Sequence, residues 1–385
     1  MIKAFQFWAS PRLRFQSGGL QVLGEEVKSL GGKKILLVAD PGVKSSGILE
    51  RAIRSLEKEK ISYTVFDEVE PNPSIQTVDK GYRRFKEAGC DFLVGLGGGS
   101  PMDTAKAIGV QVTNPGPLLT YEGIDKVVNP IPTLVAVPTT AGTGSEVTAA
   151  SVVTDRARKY KTFLRSPYLV PKLALLDAQL LLTLPPPVSA STGMDAFTHA
   201  YESFVSVNTN PVSRALAMDA IRLIGQNLRR FFANPDNLAA AEAMMIASTM
   251  AGLAFSSGRT GIVHGMAHPL GGHYNVPHGV ANAILLPHCM EFTRMGAPED
   301  FRQIAQALEE DVRGLSLEEA STRAVESVRR LLLDIGIPKN LGEVGAGKEG
   351  IEAMAQEAIQ SKLQLNTPRR ITLEDVKLLY EKAFA

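Results

Sequence analysis

Three consecutive prolines, Pro185-Pro186-Pro187, divide the 385-residue chain into two stretches with different hydrophobic periods. Ahead of them, short apolar runs alternate with amphipathic segments. Lys34–Ala39, Ser62–Phe66, Phe92–Leu96 and Thr133–Val137 read as strands, Ile48–Lys60 and Ser74–Ala88 as helices. Such short, uniformly apolar strands separated by helices predict a doubly wound parallel sheet, Rossmann-like and buried on both faces. Two further β-like segments, Val147–Thr154 and Leu173–Leu176, carry this half to about residue 182. Beyond the prolines the period is helical over Ala190–Phe204, Pro211–Phe231, Leu238–Phe255 and Leu317–Asp334, and the Gly-rich stretch 256–280 stands apart. The expected organisation is an α/β domain over 1–184 and an all-helical domain over 185–385, with ligands in the cleft between them.

Composition narrows the partners. A net charge of +1 leaves no electrostatic drive for wrapping a nucleic acid. Two cysteines, Cys90 and Cys289, without a CxxC motif, cannot staple a secreted scaffold. The opening MIKAFQFWASPRLRF lacks a signal-peptide core, and no window reaches the ~18 apolar residues of a membrane span. A soluble cytoplasmic protein is expected.

Two loops carry phosphate chemistry. Gly97-Gly98-Gly99-Ser100 follows the strand FLVGL and precedes the helical PMDTAKAIGV, with Pro101 at the expected first helical position and Asp103 in the first turn. Glycines there let a diphosphate approach the backbone, and a helix N-terminus offers free N–H groups. A tight turn that merely needs glycine is the plainer alternative. PTTAGTGSE (138–146), after the strand TLVAV, supplies hydroxyls for a second set of phosphate or ribose contacts, or is simply a polar loop. Two such loops on one sheet edge favour a dinucleotide. Asp40, ending KILLVA, suits a ribose diol and repels a 2′-phosphate, favouring NAD over NADP; it can equally initiate a turn. No GxGxxG fingerprint is present.

All six histidines fall in the second half: His199, then His264, His268, His273, His278 and His288. Asp195 and His199 stand four apart on one helix face, and His264 and His268 repeat that spacing. One carboxylate with several imidazoles suits Fe²⁺ or Zn²⁺ rather than Ca²⁺ or Mg²⁺, and three histidines with one aspartate leave a position for a substrate oxygen.

The motifs GGGSPMDTAK (97–106), PTTAGTGSEVT (138–148), TGMDAFTHAYE (192–202) and HGMAHPLGGHYNVPHGVANAILLPH (264–288), with PNP at 71–73, resemble the iron-containing (group III) alcohol dehydrogenases. The resemblance runs from about residue 5 to the C-terminus. It implies a dehydroquinate-synthase-like superfold and an NAD(H)-dependent dehydrogenase of small primary alcohols or diols, or a reductase of their aldehydes. It makes Asp195, His199, His264 and His278 ligands of Fe²⁺ or Zn²⁺. His268 is then a catalytic proton-relay or positioning residue beside nicotinamide and substrate. Gly97, Gly98, Gly99, Ser100, Asp103, Thr139, Thr140 and Thr143 hold the cofactor, with Asp40, Asn72 and Lys161 near it. His273 and His288 match no ligand position. Phe15–Gly19 matches a family strand that pairs with a second subunit, which implies a homodimer or higher oligomer.

The chain departs from the family at Ala254–Val263, AFSSGRTGIV, where Arg259 and Thr260 replace small or apolar residues. Phe255 and Arg259 are candidate substrate contacts. Arg259, or Arg165 four residues after Lys161, can bind an anionic hydroxy-acid or semialdehyde substrate, or remain solvated. A metal-dependent lyase or cyclase of the dehydroquinate-synthase type is a further alternative.

Overall fold

The structure, a computed structural model, describes residues 4–7, 11–158 and 160–385; the parts of the 1–184 expectation on residues 1–3, 8–10 and 159 lie outside them. Two compact units emerge, one over Ala9–Thr183 and one over Leu184–Ala385, with residues 4–7 grouping with the second.

In chain order the first unit holds β1 (Arg12–Phe15), α1 (Leu23–Ser29), β2 (Lys34–Val38), α2 (Pro41–Ser45), α3 (Ile48–Lys58), β3 (Ser62–Phe66) and α4 (Ile75–Ala88). Then follow β4 (Phe92–Gly97), α5 (Gly99–Thr113), β5 (Gly123–Ile124), β6 (Leu134–Pro138), β7 (Ala150–Asp155), β8 (Tyr160–Arg165) and β9 (Leu173–Leu176). Six strands form a parallel sheet in the order β1-β9-β6-β4-β2-β3. Alternate residues of β2 enter opposite cores: Ile35 and Leu37 join Val27 and Leu56 of α1 and α3, while Leu36 and Val38 join Phe85 and Ile108 of α4 and α5. Helices on both faces are why these strands are apolar throughout. From β2 the chain steps outward to β3 and returns across the sheet to β4. The carboxyl ends of β2 and β4 therefore flank a topological switch point, where ligands of open α/β sheets bind.

Three expectations for this unit need adjustment. Val147–Thr154 is not one strand: Ser145–Val147 is a 3₁₀ turn, and β7 begins at Ala150 and pairs antiparallel with β8 in a separate sheet, β5-β8-β7. Phe15–Gly19 is the end of β1 and the turn beyond it; the strand itself is Arg12–Phe15. α5 starts at Gly99, two residues before Pro101, because Gly99 and Ser100 accept helical angles and no side chain caps Gly98.

Asp103 and Lys106 lock the second loop to α5. Lys106 is fully buried, and its ammonium donates to Ser145 O and Oγ, Thr148 O and Oγ1, and Ala150 O at 2.7–3.2 Å. The Asp103 carboxylate accepts from Ser145 Oγ (2.6 Å) and Val152 N (3.0 Å). Burial pushes the Lys106 pKa down to about 8, and the charges of Asp103 and Glu146 oppose the shift.

The second unit comprises α6 (Pro186–Val205), α7 (Pro211–Ala233), α8 (Leu238–Gly258), α9 (Ile262–Tyr274), α10 (His278–Thr293), α11 (Pro298–Ala307), α12 (Leu317–Asp334), α13 (Ile351–Gln360) and α14 (Leu373–Ala383). α9 runs through the Gly-rich stretch expected to stand apart from the helices, even carrying Pro269 internally. α6 is the central helix, buried along nearly its whole length after Ser189. A Cβ at Gly193 would lie 2.4 Å from Leu228, so glycine sets how closely α6 meets α7. α8 is long and apolar enough to cross a membrane, contrary to the window count above. Its Ala, Met and Gly residues instead pack against α6 and α7 in the core.

Lys106→Met removes the one ammonium that gathers five oxygens of the 145–150 segment and leaves most of them short of a donor. Unfolding free energy should fall by about 3 kcal/mol, read by urea denaturation at pH 7.

Candidate metal centre and cofactor loops

On α6, Asp195, His199 and Glu202 recur at helical spacing and share one face. That face meets His264 in the first turn of α9 and His278 at the first position of α10. One ligand atom from each of Asp195, His199 and His264 lies within 4.8 Å of the others, all three buried. His278 Nε2 stands 3.7 Å from Asp195 Oδ1, and His264 Nε2 3.8 Å from the same oxygen. The His199 and His264 rings stack with centroids 4.5 Å apart, and Phe255 covers the other side of His199 at 4.2 Å.

His268 lies beyond this group, its ring stacked on His278 at 5.5 Å. His273 pairs with Glu357 of α13 at 2.7 Å, remote in role from the cluster. His288 is held neutral: burial, then the charges of Arg329 and Lys382, push its pKa down to about 4. Arg259 closes α8, its N–H donating to Phe255 O at 2.9 Å, with φ 73° and ψ 160°. That region is essentially reserved for glycine, so the backbone there is strained. Arg165 ends β8 in register with Ala150.

Two residues that sequence reasoning missed complete the centre. Glu202, 3% exposed, accepts from Val263 N at 2.6 Å through Oε1, and its Oε2 lies 2.6 Å from His264 Nδ1. Its signal was its position seven residues after Asp195. Asn282, four residues after His278, places Nδ2 2.7 Å from Asp195 Oδ1, 3.3 Å from His264 Nε2 and 3.2 Å from His278 Nε2. Its Oδ1 is buried with no hydrogen-bond partner among the described residues. A buried carboxylate with clustered imidazoles fits a divalent first-row metal.

In the α/β unit, the two loops meet. A Cβ on Gly98 would lie 3.3 Å from Thr140, and one on Gly99 2.9 Å from Thr143; Thr139 N donates to Gly97 O at 2.9 Å. Ser100 sits half-buried in the first turn of α5, a 15-residue helix whose N-terminus has no side-chain cap. This glycine–threonine cradle at a helix N-terminus fits a diphosphate. Asp40 caps α2 through Val43 N, and its Oδ2 lies 3.1 Å from where a Gly97 Cβ would be. Burial raises its pKa. Asn72, at φ 52°, accepts from Thr154 Oγ1 through its carbonyl, and Thr154 is the register partner of Lys161. Asp103, by contrast, spends its carboxylate on Ser145 and Val152 and so acts as a clamp on the loop.

A glycine–threonine cradle that fits a diphosphate in one unit and a carboxylate–imidazole cluster that could hold a metal in the other suit a metal-dependent oxidoreductase. Family comparison agrees. Residues 10–178 match the family described as iron-containing alcohol dehydrogenase, and residues 189–384 its C-terminal part. The chain is 42% identical over 372 residues to the 1,3-propanediol dehydrogenase of Citrobacter freundii, covering 96% of each. It is 36% identical over 377 residues to the NAD-dependent methanol dehydrogenase of Bacillus methanolicus, covering 98% of this chain and 99% of that one. A crystal structure of 1,3-propanediol oxidoreductase superposes with a TM-score of 0.97 at 40% identity, over 99% of this chain and all of that one. The chain belongs to the iron-containing alcohol dehydrogenases, and the lyase or cyclase alternative falls away.

A Cβ at Gly279 would lie 2.3 Å from Ser191 O on α6. Gly279→Ala should therefore push α10 and His278 outward and weaken Co²⁺ affinity at least about 10-fold by calorimetric titration. The neutral form of His288 adds stability above its free value of 6.5, and this is lost as pH falls through about 4. His288→Gln should flatten the decline in melting temperature between those two pH values.

Proposed function

We propose that the enzyme reversibly transfers hydride between NAD(H) and a small primary alcohol or diol and its aldehyde. The observation carrying this reading is the convergence of Asp195, His199 and His264 donor atoms within 4.8 Å. Asp195, His199, His264 and His278 hold the metal. When bound, the metal draws electron density from the substrate oxygen as a Lewis acid, and the nicotinamide takes or gives the hydride. Gly98, Gly99, Ser100, Thr140 and Thr143 seat the cofactor diphosphate against the α5 N-terminus, Thr139 orders the loop from behind, and Asp40 binds the ribose diol. Asn72 and Lys161 lie alongside it. His268 holds or passes a proton at its imidazole nitrogens. Phe255, stacked on His199, keeps water from that side of the ligand set.

The family's iron is the metal expected, yet the same donors take Zn²⁺, which binds such sites more tightly than Fe²⁺. Iron then reflects supply. The strand β1 ends its sheet with Leu13 and Phe15 more than 40% exposed, which supports a homodimer joined along that edge. Both cysteines are free and buried, which supports a reduced, cytoplasmic setting.

A second reading is favoured by one observation, the strained backbone of Arg259 directly after the helix that carries Phe255. In it, Arg259 selects an anionic aldehyde.

The test is NADH oxidation by protein reconstituted anaerobically with Fe²⁺, offering propanal and succinic semialdehyde. Turnover of propanal, abolished by Asp195→Ala, is the expected result. A strong preference for the acid, lost in Arg259→Ala, would establish the second reading, and silence with both substrates would refute the first.

A further inference from the structure

Glu202 presents an imbalance that the ligand set alone does not resolve. Its carboxylate is 3% exposed, and among the described residues its one ion-pair partner is His264. Asp195, 2% exposed, has only the imidazoles of His199, His264 and His278 as ion-pair partners among the described residues, and its one further polar contact is the neutral amide of Asn282. Two carboxylates are thus buried together among rings that must be neutral to bind a metal. The cavity behind Glu202, bordered by Tyr201, Thr293 and Thr367, measures about 10 Å³. That is room for about one water, and with Glu202 itself 3% exposed little solvent reaches the carboxylate. Uncompensated buried anions are costly, and a dication beside His264 and Asp195 supplies the matching charge.

The geometry is as specific as the charge count. Oε2 sits 2.6 Å from His264 Nδ1, so Nδ1–H donates to Glu202 and leaves the Nε2 lone pair facing Asp195 Oδ1, 3.8 Å away. Oε1 accepts from Val263 N at 2.6 Å and pins the first turn of α9, from which His264 projects. A Cβ on Gly261 would lie 3.0 Å from Oε1, so the glycine lets the carboxylate reach both donors.

We propose that Glu202 is the positioning residue of the metal centre: it fixes the tautomer and direction of His264 and supplies the second negative charge that matches a divalent cation. The inference rests on the metal-centre reading above. Carboxylates behind a ligating histidine tune metal affinity by about 10–100-fold.

The test uses full-length protein stripped by chelator and titrated with Co²⁺, whose visible d–d absorption reports ligand geometry. Glu202→Gln keeps size but removes the charge and leaves one oxygen for two donors. It should bind Co²⁺ about 10–100-fold more weakly, with altered visible bands. Its metal-free melting temperature should equal or exceed that of the wild type, which a merely structural role would lower. Should Glu202→Gln not fold, Glu202→Asp carries the test, because it keeps the charge but draws both oxygens back and should also weaken binding and shift the bands. Wild-type affinity with unchanged bands in either variant overturns the role of Glu202 and leaves the metal centre standing. A wild-type protein that binds no Co²⁺ overturns both.

Discussion

The helical unit is organised around one constraint: a polar face that α6 buries inside an apolar bundle. Asp195, His199 and Glu202 occupy that face, and each is nearly inaccessible to water. Groups of this kind remain in a core only where every polar atom finds a partner and every charge an opposite. The neighbouring helices meet part of that demand at their ends. α9 and α10 begin at the site, so His264 and His278 come from first turns, where the chain has just entered the core and backbone N–H groups such as Val263 N are still available. Glycines permit the approach: Gly193 toward α7, Gly261 beside Glu202 and Gly279 against α6.

The α/β unit solves the corresponding problem with the opposite sign. A phosphate cradle requires bare backbone, and bare backbone is loose unless something behind it is rigid. Lys106 provides that rigidity as an internal cation, gathering carbonyl and hydroxyl oxygens of the 145–150 segment around one ammonium, while Asp103 ties the same segment to α5 from the other side. The residues of GGGSPMDTAK thereby divide into a glycine–serine start, proposed above to face the cofactor, and a structural pair, Asp103 and Lys106, further on.

What was legible in the sequence follows from the range of the interactions involved. The strands of the main sheet are apolar because two layers of helices bury them, so β2, β3, β4, β6 and β9 stand out as short runs. The helix α12 was legible from its periodicity, and Ser316 and Glu319 fix its start with a capping box. The Asp195–His199 pair was legible because four residues is one turn of one helix. Failures share the opposite property. β7 and β8 make a small sheet whose pairing is decided by tertiary contacts, and along β7 the buried face carries Ser151 and Asp155 as well as Val153, so the apolar pattern does not follow the alternation in burial. α9 was obscured by Gly265, Pro269, Gly271 and Gly272, residues that oppose an isolated helix but are carried by packing in the core. Glu202 and Asn282 were missed because acids and amides on helices are ordinarily solvated, and only burial marks these two as part of the centre.

That last point bears on how function is read from such a chain. The superfold alone does not choose between hydride transfer and lyase chemistry, since unrelated activities share it. The ligand spacing narrows the choice to a metal enzyme but not to a metal. What narrows it further is the residues that touch ligands rather than the metal. Glu202 sets the charge that the centre tolerates, and Asn282 reaches three ligand atoms at once. Such residues respond to the charge and size of the ion through the ligands they hold. On the proposed reading, metal affinity depends on the packed interior of the helical unit as well as on the side chains that would hold the ion.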